Sequence, residues 1–340
     1  MSGSKTGNIL PPEHWAKQAE NDDDDQGSVV SEDNVSSTTS LSSSILEYRT
    51  IHGRTFHHER GNAEYWGSND AQQNESLDIH HHACTLALDG KLYLAPLAKS
   101  DIKHALDIGT GTGIWALDFA DEFPDAEVIG TDISPIQPTW LPPNLKFEIE
   151  DCTLEWTFES DRFDYIHMRW LLGSIVDWNE LFQRAFDTLK PGGWFESYEM
   201  SAIIESDDGT VHDETALAQW GRIFIEGGRK NGRSFTILQD ETQKTAMQQA
   251  GFVDIQEKNF KMPIGAWPSD PKKKEMGRFA QLTIEQDPEG YTLFMADALG
   301  WSREQILAYI ASLKKEVRSG KYHPYYKQKS VWGRKPEKTA

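Results

Sequence analysis

The sequence is poor in cysteine, in long apolar runs and in positive charge, and each shortage closes off a class of function. Its two cysteines, Cys84 and Cys152, are too few for a disulfide framework or a thiolate metal centre. No apolar run approaches the ~20 residues that cross a bilayer, and residues 1–10 carry no apolar signal-peptide core. Lysine and arginine number 34 against 54 aspartates and glutamates, giving a net charge of −20. That balance opposes electrostatic capture of nucleic acid, which needs clustered cations to displace counterions. The expectation is a soluble, intracellular protein with no membrane span and no direct nucleic-acid contact. Internal repeats are absent, and 340 residues suffice for one large domain or two small ones.

What is present is organised around His104-Ala-Leu-Asp-Ile-Gly-Thr-Gly-Thr-Gly-Ile-Trp115. Ala105 to Ile108 reads as a buried parallel strand, and Ile114 to Phe123 as a helix. A strand, a glycine-rich turn and a helix build a nucleotide-type site at the carboxyl edge of a sheet. A dinucleotide fingerprint would be G-x-G-x-x-G with a pyrophosphate on the helix N-terminus. Here the spacing is G-x-G-x-G, and Asp107 lies two residues before Gly109. A carboxylate there repels a pyrophosphate but attracts an ammonium and a sulfonium. S-adenosylmethionine carries both cations, so the electrostatics favour it, against the plainer reading of a glycine turn with no ligand.

Strand and helix patterns then alternate. Ala126 to Asp132 is a second strand ending in an acid suited to ribose hydroxyls, although a turn aspartate is the common alternative. Leu145 to Asp151 is a third, and Asp151 at its tip can accept an adenine amine; Cys152 beside it reads as a packing residue rather than a nucleophile. Phe163 to Arg169 is a fourth strand, Asp177 to Lys190 a helix, and Trp194 to Met200 a fifth strand, a repeated βαβ pattern. After residue 200 the pattern loosens: helices over 215–227 and 242–250, a strand over 251–260, further helix over 272–282 and 289–299. Ser302 with Gln305 predicts a capping box for a final helix, and residues 329–336 a last strand. Lys272 to Lys274 reads as a solvated helix start.

Upstream, residues 1–44 hold the run Asp22 to Asp25 and a serine-rich tract, with little apolar surface to offset the entropy of ordering, and are expected to be disordered. From Gln73 to Leu88, Leu77, His81, Cys84 and Leu88 form a helical stripe. His80, His81 and His82 do not make a metal site, because adjacent helical residues diverge by about 100°; His81 is expected inward, its neighbours toward solvent or the cofactor cleft. The division expected is a tail (1–44), a helical cap (45–100), a cofactor core (101–200) and a remainder with cap insertions and final strands (201–340).

The segments Leu106 to Trp115, Val128 to Pro138, Leu189 to Trp194 and Val331 to Pro336 together resemble a class I methyltransferase, and more narrowly the fungal LaeA-like group of secondary-metabolism regulators. The resemblance runs from about Ser44 to Pro336. It implies an α/β, Rossmann-like, seven-stranded sheet with helices on both faces, a reversed final hairpin, and S-adenosylmethionine across the strand tips. By position, Asp107, Gly109, Thr110, Gly111 and Gly113 would hold the methionine end, Asp132 with Ile133 the ribose region, and Asp151 with Cys152 the adenine. It also implies nuclear or cytoplasmic regulation, with velvet-type regulatory proteins or a related methyltransferase as partners.

Methyl transfer is an in-line displacement, and a general base matters only when the acceptor must lose a proton. His167, Tyr198 and Glu199, at strand tips, are the candidates, His167 equally suiting a satisfied structural histidine; the N-P-P-Y signature is missing. Three readings follow: a regulatory methyltransferase with a protein target or its own chain, a tailoring enzyme for a small metabolite, and a non-catalytic cofactor-binding scaffold. For the second, Trp220, Phe224, Trp267, Phe279 and Tyr291 are candidates for an apolar pocket, with ordinary core packing as the alternative.

Overall fold

A computed structural model describes residues 8–20, 48–57 and 65–338. The sheet is built from β3 (His104–Ile108), β4 (Glu127–Asp132), β5 (Leu145–Ile149), β6 (Phe163–Arg169), β7 (Leu189–Glu205), β8 (Val253–Pro263) and β9 (Tyr325–Arg334), in the order β5-β4-β3-β6-β7-β9-β8. β9 alone runs antiparallel to its neighbours β7 and β8, as the class I resemblance implied. Alternation along the central strands covers both faces: Leu106, Ile108, Ile166 and Met168 pack on one side, Ala105, Val128 and Tyr165 on the other. Order reverses between β3, which pairs β4 on one side and β6 on the other, and that switch point opens a crevice at the strand tips.

Several helices start where the sequence supplies a cap. In α9 (Arg303–Arg318) the Ser302 hydroxyl accepts from the Gln305 N–H while the Gln305 amide oxygen accepts from the Ser302 N–H, the expected capping box. Asp270 caps α7 (Pro271–Gln286), with proline at its first position, and Asp70 caps α2 (Ala71–Ala87). α4 (Trp178–Thr188) is shorter than its pattern: the chain turns extended at Leu189, and Gly192 takes φ +83° before the strand continues. β7 then runs five residues past Met200, because Ala202 and Ile204 are buried against α5 (Ala216–Lys230).

Two elements depart from the expected N-terminal division. Residues 12–20 form a helix, α1 (Pro12–Glu20), in the stretch expected to be disordered. Trp15 is fully buried, its ring 5.4 Å from that of Tyr309 on α9, so one large side chain on a short helix anchors the segment. The acidic run and the serine tract lie outside the described residues. The cap region also contains a hairpin, β1 (Arg49–Ile51) and β2 (Arg54–Phe56), turned by His52 and Gly53 at φ +48° and +86°. Arg54 donates to Asp70 (2.7 Å) and Asp287 (2.8 Å), fastening the hairpin to the starts of α2 and of α8 (Pro288–Ala298).

Candidate active site

The glycine turn joins β3 to α3 (Ile114–Glu122). A Cβ at Gly109 would lie 2.5 Å from Leu171, whereas one at Gly111 would meet nothing within 4 Å, because that backbone faces the open crevice. Asp107, Gly109, Thr110, Gly111, Asp132, Ile133, Asp151 and Cys152 all line one cleft of about 1130 Å³. Gly113 does not; it is the left-handed N-cap of α3, where any Cβ would strike the Phe147 ring.

Each acid in the cleft is aimed by its own chain. Asp107 is buried, accepting from the Thr110 hydroxyl (2.6 Å) on one oxygen, with Nδ1 of His167 2.7 Å from the other. Facing a carboxylate oxygen, Nδ1 of His167 is the donor of that contact, and the ring stacks on Trp115 at 3.7 Å. Asp132 accepts from the N–H of Gly111 (2.8 Å) and of Ser134 (2.9 Å), and burial still pushes its carboxyl up to about 6. Asp151 accepts from the N–H and hydroxyl of Thr153. Burial pushes the Cys152 thiol up to about 12, so it is a protonated wall residue, not a thiolate.

Tyr198 and Glu199 do not belong to the cleft. Tyr198 is buried beside Cys84 and Leu88 and donates to Gln328, and burial holds its phenol well above its ordinary range. Glu199 accepts from the N–H groups of Leu171 (2.9 Å) and Leu172 (3.1 Å) and is 1% exposed. Burial pushes its carboxyl up to about 8. Its role is to pin the loop after β6, whose Leu171 side chain covers Gly109.

The wall opposite the strands comes from α2, with a polar buried stripe of Gln73, Ser76 and His80 beside the expected His81 and Cys84. Thr112 donates to Asp78 (2.6 Å), His81 lies 2.8 Å from Asp118 on α3, and Arg169 reaches His81 at 3.1 Å. His80 is buried as well, and only His82 faces outward, against Phe279. Asn69, just ahead of the helix, is 6% exposed, yet both polar atoms of its amide lack a partner among the described residues. A buried amide left open in a cleft wall is what a bound polar ligand would complete. The sequence signal for this wall was weak: a helix whose inward stripe is polar reads as amphipathic in the wrong direction.

Behind His80 and Trp170 lies a second chamber of about 530 Å³. Trp220, Phe224 and Tyr291 line it and are at the same time buried members of the main core, the packing role that was their alternative, while Trp267 and Phe279 do not line it.

Comparison with known proteins follows this geometry. A methyltransferase domain family matches residues 79–257. Methyltransferase pytC of Aspergillus terreus is 36% identical over 306 residues, covering 89% of this chain and 93% of its own. The secondary metabolism regulator LAE1 of Cochliobolus heterostrophus is 33% identical, covering 75% of this chain and 85% of its own. The protein-methionine methyltransferase laeA of Emericella nidulans is 31% identical, covering 85% and 77%. This chain belongs to the LaeA-like S-adenosylmethionine-dependent methyltransferases. The donor set suits that cofactor: Asp107, Asp132, Glu150 and Asp151 face one guanidinium, Arg169, so the cleft favours a cation. Among the described residues no cluster of side chains fits a metal ion, and no helix is long and apolar enough to cross a membrane.

Proposed function

We propose that this LaeA-like methyltransferase acts on a small molecule of secondary metabolism. The observation that carries the reading is the second chamber: it adjoins the cofactor cleft through the shared His80 and Trp170, and aromatic side chains dominate its walls. When bound, S-adenosylmethionine supplies an activated methyl group on a sulfonium. Asp132 would take the ribose hydroxyls, Asp151 the adenine amine, and the carboxylate-rich wall around Asp107 the cationic end. Asn69 offers a donor and an acceptor to the same ligand. His167, clamped by Asp107 and Trp115, holds the floor of the cofactor side. Alignment of acceptor and methyl in a site closed to water is the main contribution this chain makes.

The relatives' names favour a second reading, a regulatory role through a protein target; velvet-type proteins or a related methyltransferase as partners would belong to that reading through the sequence resemblance alone. Tritiated-methyl cofactor, incubated with the protein and a fungal lysate, separates the two. Label in the organic extract supports the small-molecule reading. Label confined to protein rejects it in favour of the second. Label in neither fraction, with the cofactor still bound, leaves the scaffold role.

A further inference from the structure

The second chamber contains no aspartate, glutamate, lysine or arginine side chain among the described residues that line it. Its walls are Trp66, Trp220, Phe224, Phe235 and Tyr291, with aliphatic side chains between. A charged acceptor would lose its hydration there without a counter-ion, so the acceptor body must be neutral and apolar. Most polar groups in the walls are already engaged. The Trp66 N–H donates to the Leu172 carbonyl, Thr283 to the Phe279 carbonyl, and the Tyr291 hydroxyl lies 2.8 Å from Ser76. The Trp170 indole N–H is buried and has no partner among the described residues. Trp170 is also held at φ +63°, a strained backbone for a bulky residue, in the wall that both cavities share.

The other shared wall residue that carries chemistry is His80. Its ring lies 3.8 Å from that of Trp170, and its Nε2 lies 3.2 Å from the Tyr326 hydroxyl. Arg169 and His81 face it from the cleft side, Cys84 lies 3.7 Å away on its own helix, and Tyr326 faces it from β9. Burial, with Arg169 and His81 nearby, holds the imidazole well below its ordinary range, so it is neutral and one ring nitrogen carries a lone pair. The tyrosines of the chamber are shifted the other way and stay protonated. Where the methyl must cross from one cavity to the other, the chain therefore places one open N–H donor beside one proton acceptor. A hydroxyl oxygen needs that pair.

We propose that the acceptor is a neutral aromatic hydroxyl compound, a phenol or enol, seated in the second chamber with its oxygen on the Trp170 N–H and its proton taken by His80 through the Tyr326 hydroxyl. The acceptor oxygen forms the new bond to the methyl carbon, and the carbon–sulfur bond breaks with its electron pair remaining on sulfur. The hydroxyl proton passes to the Tyr326 oxygen as the Tyr326 proton passes to Nε2 of His80, 3.2 Å away, and the Tyr326 oxygen then accepts the new N–H. Products are the methyl ether and neutral S-adenosylhomocysteine, and the imidazolium returns its proton to solvent. This inference rests on the small-molecule reading above.

The test compares 2-naphthol with 2-naphthalenethiol as acceptors, using S-adenosylmethionine and the full chain. The thiol ionises unaided near neutral pH and needs no base, whereas the naphthol does. His80→Gln should lower the ratio of naphthol to thiol rate by ~10²-fold, the usual contribution of a general base. His80→Gln should also change the pH dependence of the naphthol reaction while leaving that of the thiol reaction, set by the thiol's own ionisation, where it was. Equal losses on both acceptors, an unchanged ratio, or no methylation of either probe would overturn the proposal. The lysate labelling experiment, which uses neither probe, reports on the small-molecule reading independently.

Discussion

Glu199 and Asp132 share a chemistry and differ in purpose, and pH separates them. Burial pushes the Glu199 carboxyl from 4.5 up to about 8. Between those values the folded chain keeps a proton that the unfolded chain has lost, so Glu199 makes stability fall as pH rises. Glu199→Gln should therefore flatten the decline of Tm between pH 5 and pH 8, with a uniform loss of about 1 kcal/mol for a weakened bond to the loop. Calorimetric scans across that range check it; an unchanged slope would refute the assignment. The pattern put Glu199 at a strand tip, but β7 runs on to Glu205, and no local signal showed that Leu171 turns back to meet it. For Asp107, Asp132 and Asp151 the strand-end position was itself the signal, because parallel strands deliver their last residues to one crevice.

At the level of elements, α2 joins the cap to the cofactor turn through the Thr112–Asp78 bond. Thr112→Val should raise the dissociation constant for S-adenosylhomocysteine ~5-fold, about 1 kcal/mol by calorimetry, since Asp78 loses the group that balances its burial. α1 makes the opposite point: it is far from the cleft and serves the fold. Trp15→Ala should cost ~3–5 kcal/mol, the usual range for emptying a buried aromatic site, and lower Tm while leaving S-adenosylhomocysteine affinity unchanged. The strands and the capped helices were legible because period and cap residues sit within a few positions of each other. α1 was not, since one buried Trp15 within an acidic, serine-rich composition carries no period, and the polar inward stripe of α2 hid its role.

On the scale of the whole molecule, the glycine turn, the acids after β4 and β5 and the reversed β9 are local in sequence and were readable as one cofactor site. The acceptor chamber is the reverse. Trp66, Trp170, Phe235 and Tyr326 come from distant parts of the chain and meet only after the sheet and the helical insertions pack, so no window of sequence contains it. The proposal places cofactor and acceptor in separate cavities that share His80 and Trp170. Ala280 on α7 lines the chamber but not the cofactor cleft, and filling that position tests the assignment most directly. In Ala280→Phe, S-adenosylhomocysteine should bind within about twofold of wild type by calorimetry, which also confirms folding, while tritium transfer to organic-soluble product falls ~10²-fold, about 2.7 kcal/mol. Transfer that continues at the wild-type rate in the filled variant would contradict the account.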